Sequence, residues 1–79
     1  MRLDKYLKVS RLIKRRTVAN EACDAGRVMI NDKPAKASAN VKVGDIITIQ
    51  FGNKDVKVEV LDVQETVCKD DAKELYRIL

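Results

Sequence analysis

Arg11, Lys14, Arg15 and Arg16 crowd into one short stretch, and the chemistry open to such a cluster is phosphate binding. A guanidinium is a planar fork that makes paired hydrogen bonds to a phosphate, whereas an ammonium acts as a compact point charge. Upstream, Arg2, Lys5 and Lys8 recur at every third position, a spacing that drifts slowly round one exposed side of a helix. Residues 1–16 hold seven cations against Asp4 alone, a net +6, while residues 17–79 hold nine basic and eleven acidic residues, a net −2. The excess charge of this +4 chain therefore sits in its first fifth, and charge of one sign so concentrated points to a polyanionic partner. The plainer alternative is a solvated basic face. Arg16 is the first candidate contact, followed by Arg2, Arg11 and Arg15, with Lys5, Lys8 and Lys14 as supporting charges. Ser10 and Thr17 can donate to a phosphate or, equally, satisfy local backbone groups. Asn20 stands one helical turn beyond Arg16, within reach of a base or ribose, and Lys33 and Lys36 are weaker candidates.

Aromatic residues make up 4% of the chain, namely Tyr6, Phe51 and Tyr76. That is too few for a base-stacking platform, so recognition is expected through RNA shape and backbone, with low sequence specificity and a steep salt dependence. Tyr6 keeps helical company with Leu3 and is assigned to the core. The chain has no His, no P-loop and no nucleophile motif, and Asp45 and Asp62 have no evident catalytic partner. No enzymatic activity and no cofactor are expected. Cys23 and Cys68 lie far apart without a CxxC pair, and a zinc site would need further ligands. Two reduced, mostly buried thiols in a cytoplasmic protein are the simple reading. No stretch approaches the ~20 apolar residues that span a bilayer, and the N-terminus lacks the apolar run of a signal peptide. No membrane partner is expected.

The elements that must position these cations follow from apolar spacing. With 79 residues the chain is expected to form one domain, 1–79, around a small core. Leu3, Tyr6 and Leu7 predict a short helix over about 2–9, with Asp4 in its first turn, where the helix dipole favours an anion. Ser10 to Ile13 is a connector. A second helix is predicted over about 15–25, with Val18, Ala19, Ala22 and Cys23 on one apolar face and Gly26 as its left-handed stop. Arg15 and Arg16 in its first turn oppose the dipole, which suggests that an anion docks at that end. Val28-Met29-Ile30 reads as a strand, Asn31-Asp32-Lys33 as a turn and Pro34 as an edge strand or its exit. Lys36 to Asn40 is a loop, Ile46 to Phe51 a β-branched strand, Gly52-Asn53-Lys54 a tight turn and Val56, Val58 and Val60 a half-buried strand, with Leu61 and Val63 as candidate continuations. Ala72, Leu75, Tyr76 and Leu79 predict a C-terminal helix over about 70–79. The fold class is α+β, with two N-terminal helices packed on a small antiparallel sheet.

These residues carry a resemblance. Arg2-Leu3-Asp4-Lys5-Tyr6-Leu7 looks like the opening of the RNA-binding domain named after small-subunit ribosomal protein S-four. Arg16 with Ala19, then Gly26-Arg27-Val28-x-Ile30-Asn31, resembles its second helix and first strand, and Val43-Gly44-Asp45-x-Ile47 its later glycine turn. The likeness covers residues 1–51 as an S-four-like core and leaves 52–79 as an extension of strand and helix. Two departures are Lys14, where the family often has a capping residue, and Asp32, where the turn often has Gly. With Lys8 to Arg16 in so short a chain, the sequence is similar to the bacterial ribosome quality-control branch of the family and to its heat-shock-induced member. The resemblance implies contact with rRNA of the large ribosomal subunit and with peptidyl-tRNA on stalled subunits. It also implies an RqcH-like tailing factor, which adds mainly alanine to the stalled chain, as partner. The protein is expected to be a monomer when not bound. The rival expectations are an adaptor docking a basic partner through the acidic part from Asp62 to Glu74, and a structured-RNA binder not attached to the ribosome.

Overall fold

The computed structural model describes residues 1–64 and 75–79. Leu3, Tyr6 and Leu7 turn one face of α1 (Leu3–Val9) into the core, and all three are fully buried. A helix of seven residues is too short to stand alone, and here a neighbouring loop completes it. The N–H of Leu3 donates to the Ala39 carbonyl at 2.8 Å and that of Asp4 to the Ala37 carbonyl at 3.1 Å. In α2 (Arg16–Asp24), Ala19 and Cys23 supply the buried face. Gly26, at φ 75°, ends it as expected: its N–H bonds the Cys23 carbonyl at 3.0 Å and that of Arg27 the Ala22 carbonyl at 2.9 Å. This pair of bonds closes a helix on a left-handed residue. Val18, expected on the apolar face, is 47% exposed. Successive helical residues differ by roughly 100° in direction, and Ala19 and Cys23 already fill the narrow side toward α1 and β1.

β1 (Val28–Ile30), β2 (Lys33–Pro34), β3 (Ile46–Phe51), β4 (Lys54–Val60) and β5 (Tyr76–Ile78) form one sheet in the order β2-β1-β3-β4-β5. Every pairing is antiparallel. The registers Val28↔Ile49, Ile30↔Ile47 and Ile47↔Val58 put the branched residues on one face, where they meet the helices. Thr48 on the other face is buried between its cross-strand neighbours Met29 and Lys57. Asn31 and Asp32 link β1 to β2 with φ of 53° and 67°. Two successive positive φ values are the signature of a type I′ hairpin turn, so the turn forms with Asp where glycine is usual. Asn31 is further fixed by the N–H of Ile46, which donates to its Oδ1 at 3.0 Å. Pro34 lies on the edge strand, where its missing N–H removes no ladder bond.

The C-terminal helix expected over 70–79 is corrected where it can be seen. Tyr76–Ile78 is a strand, paired with β4 through Val58↔Ile78, Glu59↔Arg77 and Val60↔Tyr76. Arg77 Nη2 also bonds Glu59 Oε1 at 2.6 Å. The physical reason is that β4 would otherwise present an unpaired edge, and Tyr-Arg-Ile suits a strand as well as a helix. The rest of that expectation, with Ala72, falls on residues 65–74 and lies outside the described residues, as does Cys68. Cys23 is a buried cysteine without a disulfide, and burial first, then the charges of Asp4 and Asp24, pushes its thiol up to about 11.

Tyr6 belongs to the core, as expected, and its buried hydroxyl donates to the Leu75 carbonyl at 2.6 Å. Burial, with Tyr76 and Asp62 adding to it, raises the hydroxyl's pKa, so it stays a donor. The same carbonyl accepts from the N–H of Leu61 at 2.9 Å. Tyr6→Phe is therefore expected to lower stability by about 1 kcal/mol, the net value of one such bond. It should appear in urea unfolding as an earlier midpoint with an unchanged slope.

Candidate nucleic-acid interface

Asp4 is the centre of the cationic face. Its side chain is 2% exposed, yet it is surrounded by donors. The Lys5 backbone N–H donates to Oδ1 at 2.8 Å and Arg2 Nε to the same oxygen at 3.2 Å. Arg2 Nη2 reaches Oδ2 at 3.3 Å, Arg16 Nε reaches it at 3.3 Å and Asn20 Nδ2 at 3.4 Å. Burial on its own would raise the Asp4 pKa. The hydrogen bonds from Arg16 and the Lys5 backbone and the charges of Arg16 and Arg2 outweigh it, so the carboxyl stays below its ordinary 3.8. The two arginines remain half-exposed, at 53% for Arg2 and 48% for Arg16. Arg2, Asp4, Arg16, Thr17, Asn20 and Glu21 line an open cleft of about 510 Å³. An open, charged cleft of this kind suits a polyanion's backbone better than an enclosed small molecule.

The sequence candidates separate into four groups. Arg2, Arg16, Thr17 and Asn20 meet at the cleft. Lys8, Arg11, Lys14 and Arg15 are exposed along the last turn of α1, the connector and the residue preceding α2, and Lys5 is partly exposed on α1. Ser10 is corrected: it is 1% exposed, and its hydroxyl donates to the Leu7 carbonyl at 3.3 Å, so the local backbone reading holds for it. Arg15 is the N-cap of α2 and makes no side-chain cap bond. Lys33 and Lys36 are exposed on β2 and the loop after it. Residue spacing places Asp4 under the helix dipole but does not show that it gathers Arg2, ahead of α1, and Arg16, at the start of α2. The available signal was a lone acid in a segment of seven cations.

The S4 domain model matches residues 1–47, which include both helices and every residue of the Asp4 cluster. The chain belongs to the S4 domain family. A protein of Bacillus subtilis (strain 168) named RQC P-site tRNA stabilizing factor is 56% identical over 79 residues, covering 100% of this chain and 92% of that one. One of the same name from Halalkalibacterium halodurans is 56% identical over 78 residues, covering 99% and 89%. Among solved structures, the trimeric structure of Vibrio cholerae heat shock protein 15 superposes with a TM-score of 0.92 at 30% identity. That alignment covers 100% of this chain and 81% of the other. Seven of the chain's sixteen Lys and Arg residues fall within residues 1–16, from the N-cap of α1 to the first residue of α2, ahead of the sheet.

The connector holds one strained position. Arg11 adopts φ 63° at the same place relative to α1 that Gly26 holds relative to α2. Its N–H bonds the Lys8 carbonyl at 3.0 Å, as that of Gly26 bonds the Cys23 carbonyl. A left-handed conformation disfavours a residue with a Cβ by about 1 kcal/mol. Arg11→Gly is therefore expected to raise stability by about that amount in a thermal melt, while weakening RNA retention measured on the same preparation. A second expectation concerns acid. A carboxyl whose folded pKa is depressed contributes stability that is complete above its unfolded value and lost as pH falls through the folded one. The Asp4 contribution should thus be constant from neutral pH down to about 4 and disappear below it. Urea midpoints of wild type and Asp4→Asn should converge as pH drops beneath that point and stay apart above it.

Proposed function

We propose that this S4 domain protein is a non-catalytic RNA-binding factor of ribosome quality control. It binds rRNA of the large subunit together with peptidyl-tRNA on stalled subunits. It works in the cytoplasm as a monomer until bound, beside an RqcH-like factor that adds a C-terminal alanine tail. The observation that carries the reading is the pair of half-exposed guanidiniums, Arg2 at the N-cap of α1 and Arg16 at the start of α2, drawn to one buried carboxylate. Thr17 and Asn20 line the cleft beside them, and the exposed Lys8, Arg11, Lys14 and Arg15, with Lys5 in support, are the further cations proposed to meet the RNA. The relatives named RQC P-site tRNA stabilizing factor support the choice of tRNA and of this pathway. Among the described residues no group of His, Cys, Asp and Glu could hold a metal and no helix is long and apolar enough to cross a membrane.

Contacts of this type release counterions. With about five phosphates engaged, the log–log salt slope of binding is expected at roughly −3.5 to −4.5. Arg16→Ala should make it shallower by about 0.7–0.9. In a sucrose gradient of cell lysate the wild type should travel with large subunits and Arg16→Ala should stay near the top. Co-sedimentation unaffected by Arg16→Ala would instead favour an adaptor docked through its acidic C-terminal part. A wild type absent from subunits yet binding purified tRNA would favour a binder that acts off the ribosome.

A further inference from the structure

We infer that Asp4 is a positioning residue for RNA: it orients Arg2 and Arg16 through their Nε edges without touching the ligand itself. The inference rests on the RNA-binding reading above. The carboxylate is 2% exposed and lies beneath the two arginines, which are about half-exposed. Arg16 meets it through Nε at 3.3 Å, so the outer end of the planar fork is turned toward the surface. Arg2 meets it through Nε and Nη2. Arg2, the N-cap of α1, and Arg16, the first residue of α2, come from separate segments and carry like charges. A shared anion both offsets their repulsion and limits their rotamers before any phosphate arrives. Asn20 shares Oδ2 with Arg16 at 3.4 Å, so a third lining residue of the cleft depends on the same oxygen. Binding then loses less side-chain entropy per bond formed.

The inference is sharp because simple electrostatics predicts the opposite sign. A negative charge under a phosphate-binding face repels the ligand. Removing it without any loss of order should tighten binding by about two- to threefold at water-like screening. If Asp4 positions the arginines, removing its charge releases them, and binding weakens despite the gain in net charge.

The test measures fluorescence anisotropy of labelled bulk tRNA, with purified large subunits in a pelleting assay as a second probe, at one fixed salt concentration. Folding of each variant is checked by circular dichroism. Asp4→Asn is expected to weaken binding on the order of tenfold. Arg16→Ala should cost about tenfold in the wild-type background but about twofold beside Asp4→Asn, since a released arginine contributes less. Asp4→Glu keeps the charge and displaces the carboxylate, so it should still weaken binding several-fold; it also carries the test if Asp4→Asn does not fold. Tighter binding by Asp4→Asn, a full additive cost of Arg16→Ala in both backgrounds, or unchanged binding by Asp4→Glu would each overturn the inference and leave RNA binding standing. A wild type that binds neither probe would defeat the RNA-binding reading and this inference with it.

Discussion

One carboxylate under a sheet of positive charge is the constraint on which the helical half of this protein depends. Residues 1–16 carry a net +6, and like charges on neighbouring helices destabilise the packing that brings them together. Asp4 relieves that conflict, with Arg2 and Arg16 both on its oxygens. A buried ion pair is weak grounds for stability, because desolvation cancels much of the attraction. Here the arginines keep half their surface in water, so the desolvation falls mainly on the anion. The Lys5 backbone N–H at 2.8 Å helps to offset it.

The position of that anion is set by the loop after the hairpin. The Asp4 N–H is held by the Ala37 carbonyl and the Leu3 N–H by that of Ala39. Ala37 and Val41 are themselves buried, so the loop is anchored to the same core that α1 covers. A short helix, which would not persist in water, thus gains a fixed orientation from tertiary contacts. The sheet supplies the surface on which both helices rest, through Val28, Ile47, Ile49, Val58 and Val60.

Much of this was legible from residue spacing. Both helices, the strands at Val28–Ile30 and Ile46–Phe51, the alternating Val56, Val58 and Val60 of β4, and the Gly26 stop follow from periodicity and turn chemistry, while β4 itself begins earlier, at Lys54. What was not legible depends on contacts between distant segments. Tyr76–Ile78 has apolar residues that fit either period over so short a run, and pairing with β4 decided it. Val18, expected on the apolar face, is exposed because helix direction fixes burial more finely than a stripe of residue types does, and for Ser10, where spacing left two readings even, the bond to the Leu7 carbonyl decided. The gathering of Arg2, Arg16 and Asn20 at Asp4 spans separations of up to 16 residues, and no local pattern encodes it. Charge asymmetry located the surface but not the anion that organises it.

The bond from the Tyr6 hydroxyl to the Leu75 carbonyl joins positions 69 residues apart. During synthesis, α1 emerges long before its last core partner exists. The nascent helix pair must pass through a period in which Tyr6 has no acceptor there and β4 has no neighbour on its outer side. Contacts so distant in sequence slow folding, because the loop between them must close before they contribute. The basic segment is thus made first and locked last.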